Sequence, residues 1–162
     1  MLKYICRCLE CNRHLYKMMK TKQIEALSSE LWRVFISGSS SAGKTYFAKQ
    51  LLKSGFFKYD RIYYYHPDIQ EDFPVDWDDL PVFCQAGLPT IDDLLNLSPY
   101  SVVILDDLYT EACKEKHISY LFRILSSKKR LHIINIRPFV IDELRCFGAA
   151  ESPSFELITV KP

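Results

Sequence analysis

Apolar positions along the chain fall into short continuous runs that alternate with stretches of helical period. Val34–Ser37 is the first such run, and Phe47, Ala48, Leu51 and Leu52 then recur at helical spacing until Ser54-Gly55 ends the pattern. Arg61–Tyr65 is aromatic, β-prone and stopped by His66-Pro67. An acid-rich loop, residues 68–80, leads to a short strand at Pro81–Gln85. Thr90, with Asp93 three residues on, predicts the capped start of a helix through Leu97. Ser101–Leu108 (SVVILDDL) carries four consecutive apolar residues, the pattern of a strand buried on both faces. Glu111–Ser127 predicts one helix, its apolar face marked by Ile118, Leu121, Phe122 and Leu125; Leu131–Ile136 predicts a further strand. Ile141–Phe147 reads as a short helix and Phe155–Val160 as a last strand, while Met18–Trp32 has an amphipathic pattern leading into the first strand. Strands alternating with helices predict an α/β fold: a three-layer sandwich around a mainly parallel sheet.

Composition adds a globular, one-domain size: 162 residues, 48% hydrophobic. The division expected is a basic N-terminal extension, 1–30, before a domain at 31–162 whose part beyond about residue 140 is atypical. Net charge is only +1, but the charges are segregated. Lysines and arginines crowd residues 1–22, none lies between Ile62 and Cys113, and the balance turns basic again from Lys114 to Arg145. Such segregation suits one surface for a metal–nucleotide and another for a polyanion, although solvated surface accounts for much of it. No apolar run is long enough to span a membrane, and the basic start has no apolar core of a secretory signal. Six cysteines are read as free thiols of a reducing compartment, cytoplasmic or nuclear. Cys6, Cys8, Cys11 and His14 have zinc-ligand chemistry at tighter spacing than paired knuckles use, so a basic arm is the stronger reading there.

The chemistry concentrates at two places. Gly38-Ser39-Ser40-Ser41-Ala42-Gly43-Lys44-Thr45 matches G-x-x-x-x-G-K-[ST] in full, between a predicted strand and a predicted helix. Small residues let successive backbone N–H groups curl around phosphate oxygens, and the helix N-terminus adds its dipole. Lys44 would reach the β- and γ-phosphates and the Thr45 hydroxyl would ligate Mg²⁺. The second place is Asp106-Asp107 at the end of the buried strand, the Walker B pattern, with Asp106 for the metal and Asp107 for the attacking water. In ATPases with an extra strand between the two Walker strands, that strand's tip carries a polar sensor; Asn135 and Arg137 lie near it here.

Together GSSSAGKT, RIYYYHPD, AGLPT, PYSVVILDDL and YLFRILSSKKRLHII resemble the FtsK–HerA superfamily, specifically the genome-packaging ATPases of Maverick/Polinton elements and related large DNA viruses. The resemblance covers about Leu31 to Phe139. It implies ATP and Mg²⁺ as cofactors, with Lys44 and Thr45 on nucleotide and metal, Asp106 on metal and Asp107 catalytic. It also implies double-stranded DNA as the object moved, a homo-oligomeric ring, and a virion-associated place beside capsid proteins in a virus-like or transposable element. An arginine from a neighbouring subunit would complete the site, with Arg130, Arg123 and Arg33 as candidates. One departure stands out. The family's sensor strand ends in a Thr-Gln pair, whereas this chain reads Asn135-Ile136-Arg137-Pro138. Either Asn135 or Arg137 takes over sensing, or hydrolysis is impaired. Two alternatives stay open beside a packaging motor: a small nucleotide or nucleoside kinase, and a nucleotide-binding module without turnover.

Overall fold

The computed structural model describes residues 31–39, 41–55, 58–68, 77, 80–137 and the strand at 155–159. Six strands form one sheet: β1 (Arg33–Ser37), β2 (Arg61–His66), β3 (Val82–Ala86), β4 (Ser101–Asp106), β5 (His132–Arg137) and β6 (Phe155–Thr159). Their order is β3-β2-β4-β5-β1-β6, and every pairing is parallel. Five helical segments accompany them: α1 (Lys44–Lys53), α2 (Ile91–Asn96), α3 (Tyr109–Ala112), α4 (Lys116–Tyr120) and α5 (Ser126–Lys129). None of the helices among the described residues is long and apolar enough to cross a membrane.

A parallel sheet hides both faces, so its central strands must be apolar at successive positions. All twelve residues of β4 and β5 are buried, and Val102–Leu105 in β4 and Ile133, Ile134 and Ile136 in β5 meet that demand. Alternation then deals their side chains into two layers. Ile62, Tyr64, Val102, Ile104, Ile134 and Ile136 pack with Ala48, Leu51 and Leu52 of α1 on one face. Phe35, Val103, Leu105 and Ile133 pack with residues of α2, α3 and α4 and with Leu121, Phe122 and Leu125 on the other. Each such side chain contributes about 1.5–3 kcal/mol by leaving water. The predicted three-layer α/β architecture is present. β5 pairs with β1 on one side and β4 on the other, which makes it the strand between the two Walker patterns.

The predicted helix 111–127 is not continuous. α3 ends at Ala112, Glu115 is extended, and a π-helical turn at Leu121–Leu125 separates α4 from α5. The reason is phase. Three and four residues after buried Ala112 stand Glu115 and Lys116, which an unbroken helix would drive into the core. The break restarts the period at Ile118. The wider π turn then keeps Leu121, Phe122, Leu125 and Ser126 all inward, with the Ser126 hydroxyl donating to the Phe122 carbonyl at 2.9 Å. At α2 the predicted cap is realised in both directions: Asp93 N–H donates to Thr90 Oγ1 at 3.1 Å and Thr90 N–H to Asp93 Oδ2 at 2.7 Å. The Met18–Trp32 pattern falls almost wholly outside the described residues, as do the Cys6/Cys8/Cys11/His14 cluster, the helix expected at 141–147 and most of the acidic loop. Of that loop, Trp77 is described and is core, edge-on to Tyr64 with ring centroids 5.5 Å apart.

Candidate functional site

Because every strand runs the same way, the segments that follow strands collect at one edge of the sheet. The loop after β1 and the end of β4 meet there although β5 lies between them. Thr45, on the first turn of α1, donates its hydroxyl to Asp106 Oδ2 at 2.9 Å. The loop leading to it turns on two left-handed residues, Ser41 at φ 61° and Gly43 at φ 83°. Ser41 accepts that conformation at a cost, while Gly43 has no Cβ to clash. Ala42 is buried and its N–H donates back to the Ser39 carbonyl at 3.2 Å, which closes the turn. Ser40 lies outside the described residues. The Lys44 ammonium is folded onto the same loop, donating to the Gly38 carbonyl at 3.1 Å and the Ser39 carbonyl at 2.9 Å. Gly43 caps α1 without a side-chain hydrogen bond, so the first-turn amides have no side-chain acceptor from the cap residue.

Asp106 is 6% exposed. Burial pushes its carboxyl above the usual range, opposed by hydrogen bonds from Tyr64 and Thr45 and by the charge of His66 nearby. The Tyr64 donor was not legible as part of the site. Its hydroxyl donates to Asp106 Oδ2 from the neighbouring strand, and burial with the adjacent carboxylate raises its own pKa far above normal, so it remains a phenol. The signal was present in the alternation of RIYYYH, since the second tyrosine of the three shares a sheet face with Asp106. Asp107, one residue on, is exposed and left-handed at φ 58°, its N–H bonded to the Ile136 carbonyl at 2.9 Å. That bend turns the second carboxylate out of the core beside the buried first.

Two expected members are not brought to this place. Asn135 is fully buried in register with Phe35 and Leu105, in the layer opposite Thr45 and Asp106, because adjacent strand residues take opposite faces and Ile136 takes the nearer one. Both of its side-chain polar atoms lack a hydrogen-bond partner. Arg130 lies at the other edge of the sheet, at the left-handed end of α5, its guanidinium 5.5 Å from the Tyr100 ring centroid. Arg33 also starts at that edge, donating to Ser126 Oγ at 3.1 Å, and Arg123 is exposed on the π turn. None reaches the Gly38–Thr45 loop of its own chain. Arg137 does end β5 at the loop's edge, but in the second layer, stacked 4.6 Å from the Tyr109 centroid with Nε and Nη1 unpartnered.

A hydroxyl and a carboxylate within one hydrogen bond of each other are hard oxygen donors of the kind Mg²⁺ takes when phosphates and water fill its remaining positions. No group of three or more acidic, histidine or cysteine residues among the described residues forms a closed metal cage, so a metal here would need oxygens from a ligand. A scan against models of protein families matches none of them, and a search of curated proteins finds no match. The functional reading therefore stands on the residues themselves.

Proposed function

We propose that the chain binds a magnesium–nucleotide, ATP, at the Gly38–Thr45 loop and hydrolyses its terminal phosphate. The observation that carries this reading is the Thr45–Asp106 hydrogen bond, which joins the two Walker patterns across an intervening strand. Loop amides and the α1 N-terminus receive the phosphates, and Lys44 leaves the Gly38 and Ser39 carbonyls to neutralise them. Thr45 and Asp106 would hold Mg²⁺, which supplies charge neutralisation between the β- and γ-phosphates. Asp107, exposed at the bend, accepts a proton from the attacking water. Resemblance extends the proposal to moving double-stranded DNA in a homo-oligomeric ring, where a neighbouring subunit's arginine would reach the γ-phosphate, and to packaging into a capsid.

A second reading has its own observation. With Asn135 in the opposite layer and Ile136 on the nearer face, β5 offers no polar group to a γ-phosphate from the Thr45 side. A nucleotide-binding module without turnover fits that arrangement. ATP hydrolysis measured with and without linear duplex DNA, beside Lys44→Ala and Asp107→Asn, separates the readings. DNA-stimulated turnover lost in both variants supports the motor. Mg-ATP binding through Lys44 with no turnover sinks it and leaves the module.

A further inference from the structure

We propose that β3 is the interface of a symmetric dimer, in which it pairs antiparallel with β3 of a second copy of this chain. The inference concerns assembly and does not rest on nucleotide binding or turnover. β3 closes one side of the sheet, and among the described residues no strand borders it there. Four of its five residues, Phe83 to Ala86, are exposed. Parallel strands turn successive backbone groups alternately to either side. Ile62 N–H donates to the Pro81 carbonyl at 3.0 Å and Gly87 N–H to the His66 carbonyl at 2.8 Å, so the odd-numbered residues address β2. Val82, Cys84 and Ala86 therefore address the open side. Val82 N–H is taken by the Leu80 carbonyl at 2.8 Å, which leaves the Val82 carbonyl and both backbone groups of Cys84 and Ala86 turned outward.

Such an edge is ordinarily blunted by charge, proline or a bulge, and the strand VFCQA contains no charge and no proline. A two-fold axis at Cys84 brings Cys84 N–H to the partner's Cys84 carbonyl and Ala86 N–H to the partner's Val82 carbonyl, each twice. The side chains select both the occupant and the register. On one face the Arg61 guanidinium lies 5.4 Å from the Phe83 ring centroid, while Gln85 donates to Asp93 Oδ2 at 3.0 Å, with exposed Asp92 next in the chain. The Cys84 register sets Phe83 opposite the partner's Gln85, so the cationic end of each copy meets the anionic end of the other. A slip of two residues toward Ala86 keeps the hydrogen bonds but sets the carboxylates against their own copies, which opposes it. Opposite charges at the two ends of one uncharged strand make this edge complementary to itself. A ladder of five residues is smaller than a standard interface, so the dimer is weak and concentration-dependent.

The test is sedimentation velocity of the full chain under reducing conditions across a concentration series. A monomer–dimer shift is expected for the wild type and, unchanged, for Lys44→Ala. Ala86→Pro removes an outward donor and no bond to β2, and should weaken dimerisation at least about tenfold. Phe83→Glu, which sits beside Arg61 in the monomer, should weaken it by a similar factor through facing the partner's carboxylates. Cys84, an exposed free thiol, reports the register. Its Cα would stand about 5.5 Å from that of the partner's Cys84, within disulfide reach. Diamide, which takes up the two electrons and two protons, should therefore give a covalent dimer that Cys84→Ser abolishes and Ala86→Pro slows. A chain that stays monomeric at every concentration overturns the pairing, as does undiminished dimerisation in either variant once circular dichroism shows it folded. A larger ring that both variants leave intact also overturns it, and would uphold the motor, so the two failures are distinguishable.

Discussion

The two faces of the sheet treat buried charge in opposite ways. On the α1 face Asp106 is buried, yet Thr45 and Tyr64 both donate to it. On the far face Arg137 is 2% exposed with aromatic rings beside it, and neither Nε nor Nη1 has a hydrogen-bond partner; Asn135 below it is equally unpartnered. A buried charge with donors is an arrangement built to be used. A buried cation with two of its three nitrogens lacking an acceptor is a cost the fold bears, of several kcal/mol before aromatic compensation. The contrast locates preorganisation on the α1 face and leaves the second layer as the place where substitution can add stability.

The sharpest way to break the contrast is Asp106→Asn. Mg²⁺-dependent nucleotide binding should fall by more than about a hundredfold, since even supporting residues of metal sites cost 10–100-fold. Stability should move the other way. A carboxyl whose folded pKa is raised loses stability as pH climbs from its unfolded pKa through the folded one, so Asp106→Asn removes that loss and flattens the denaturation profile above the carboxylate range. Next, Arg137→Met keeps the stem and deletes the charge; urea unfolding should show about 2 kcal/mol of gain. Loss of turnover with nucleotide binding kept would instead place Arg137 on the terminal phosphate and erase the distinction between faces. Tyr64→Phe removes one donor from Asp106. Mg²⁺ affinity should drop about tenfold, and the pH below which it fails should rise, because a hydrogen bond that lowers the Asp106 pKa has gone. Smallest is Thr90→Ala, remote from both faces, which should cost about 1 kcal/mol of stability through the α2 cap and leave nucleotide affinity unchanged.

Most of the framework was legible because it is periodic. Runs such as SVVILD and HIINI can be strands only in a covered parallel sheet, and the capping pair Thr90–Asp93 announces its helix. The Gly38–Thr45 loop was legible because the pattern it matches dictates residue types one by one through close backbone approach. What could not be read depended on register between distant strands. That Asn135 faces away from Thr45 follows from a one-residue phase against β1 and β4, which spacing along the chain does not carry. Tyr64 was hidden for the same reason: three consecutive tyrosines look alike until the sheet assigns them faces. The broken helix after β4 was hidden by its apolar face, which is correct from Ile118 onward and says nothing of Glu115.

β5 is synthesised after β1 and β4 and is then inserted between them. Until it pairs, the strand leading into the Gly38–Thr45 loop and the strand bearing Asp106 have no common ladder. Non-local parallel pairing of this sort is slow, because loop closure must precede the contacts that reward it. The proposed binding site would thereby be a late product of folding: refolding followed by a fluorescent nucleotide should recover signal in the slowest phase, after far-ultraviolet helix signal has returned. In a cell, a nascent chain released before residue 137 would carry both signature patterns and no site.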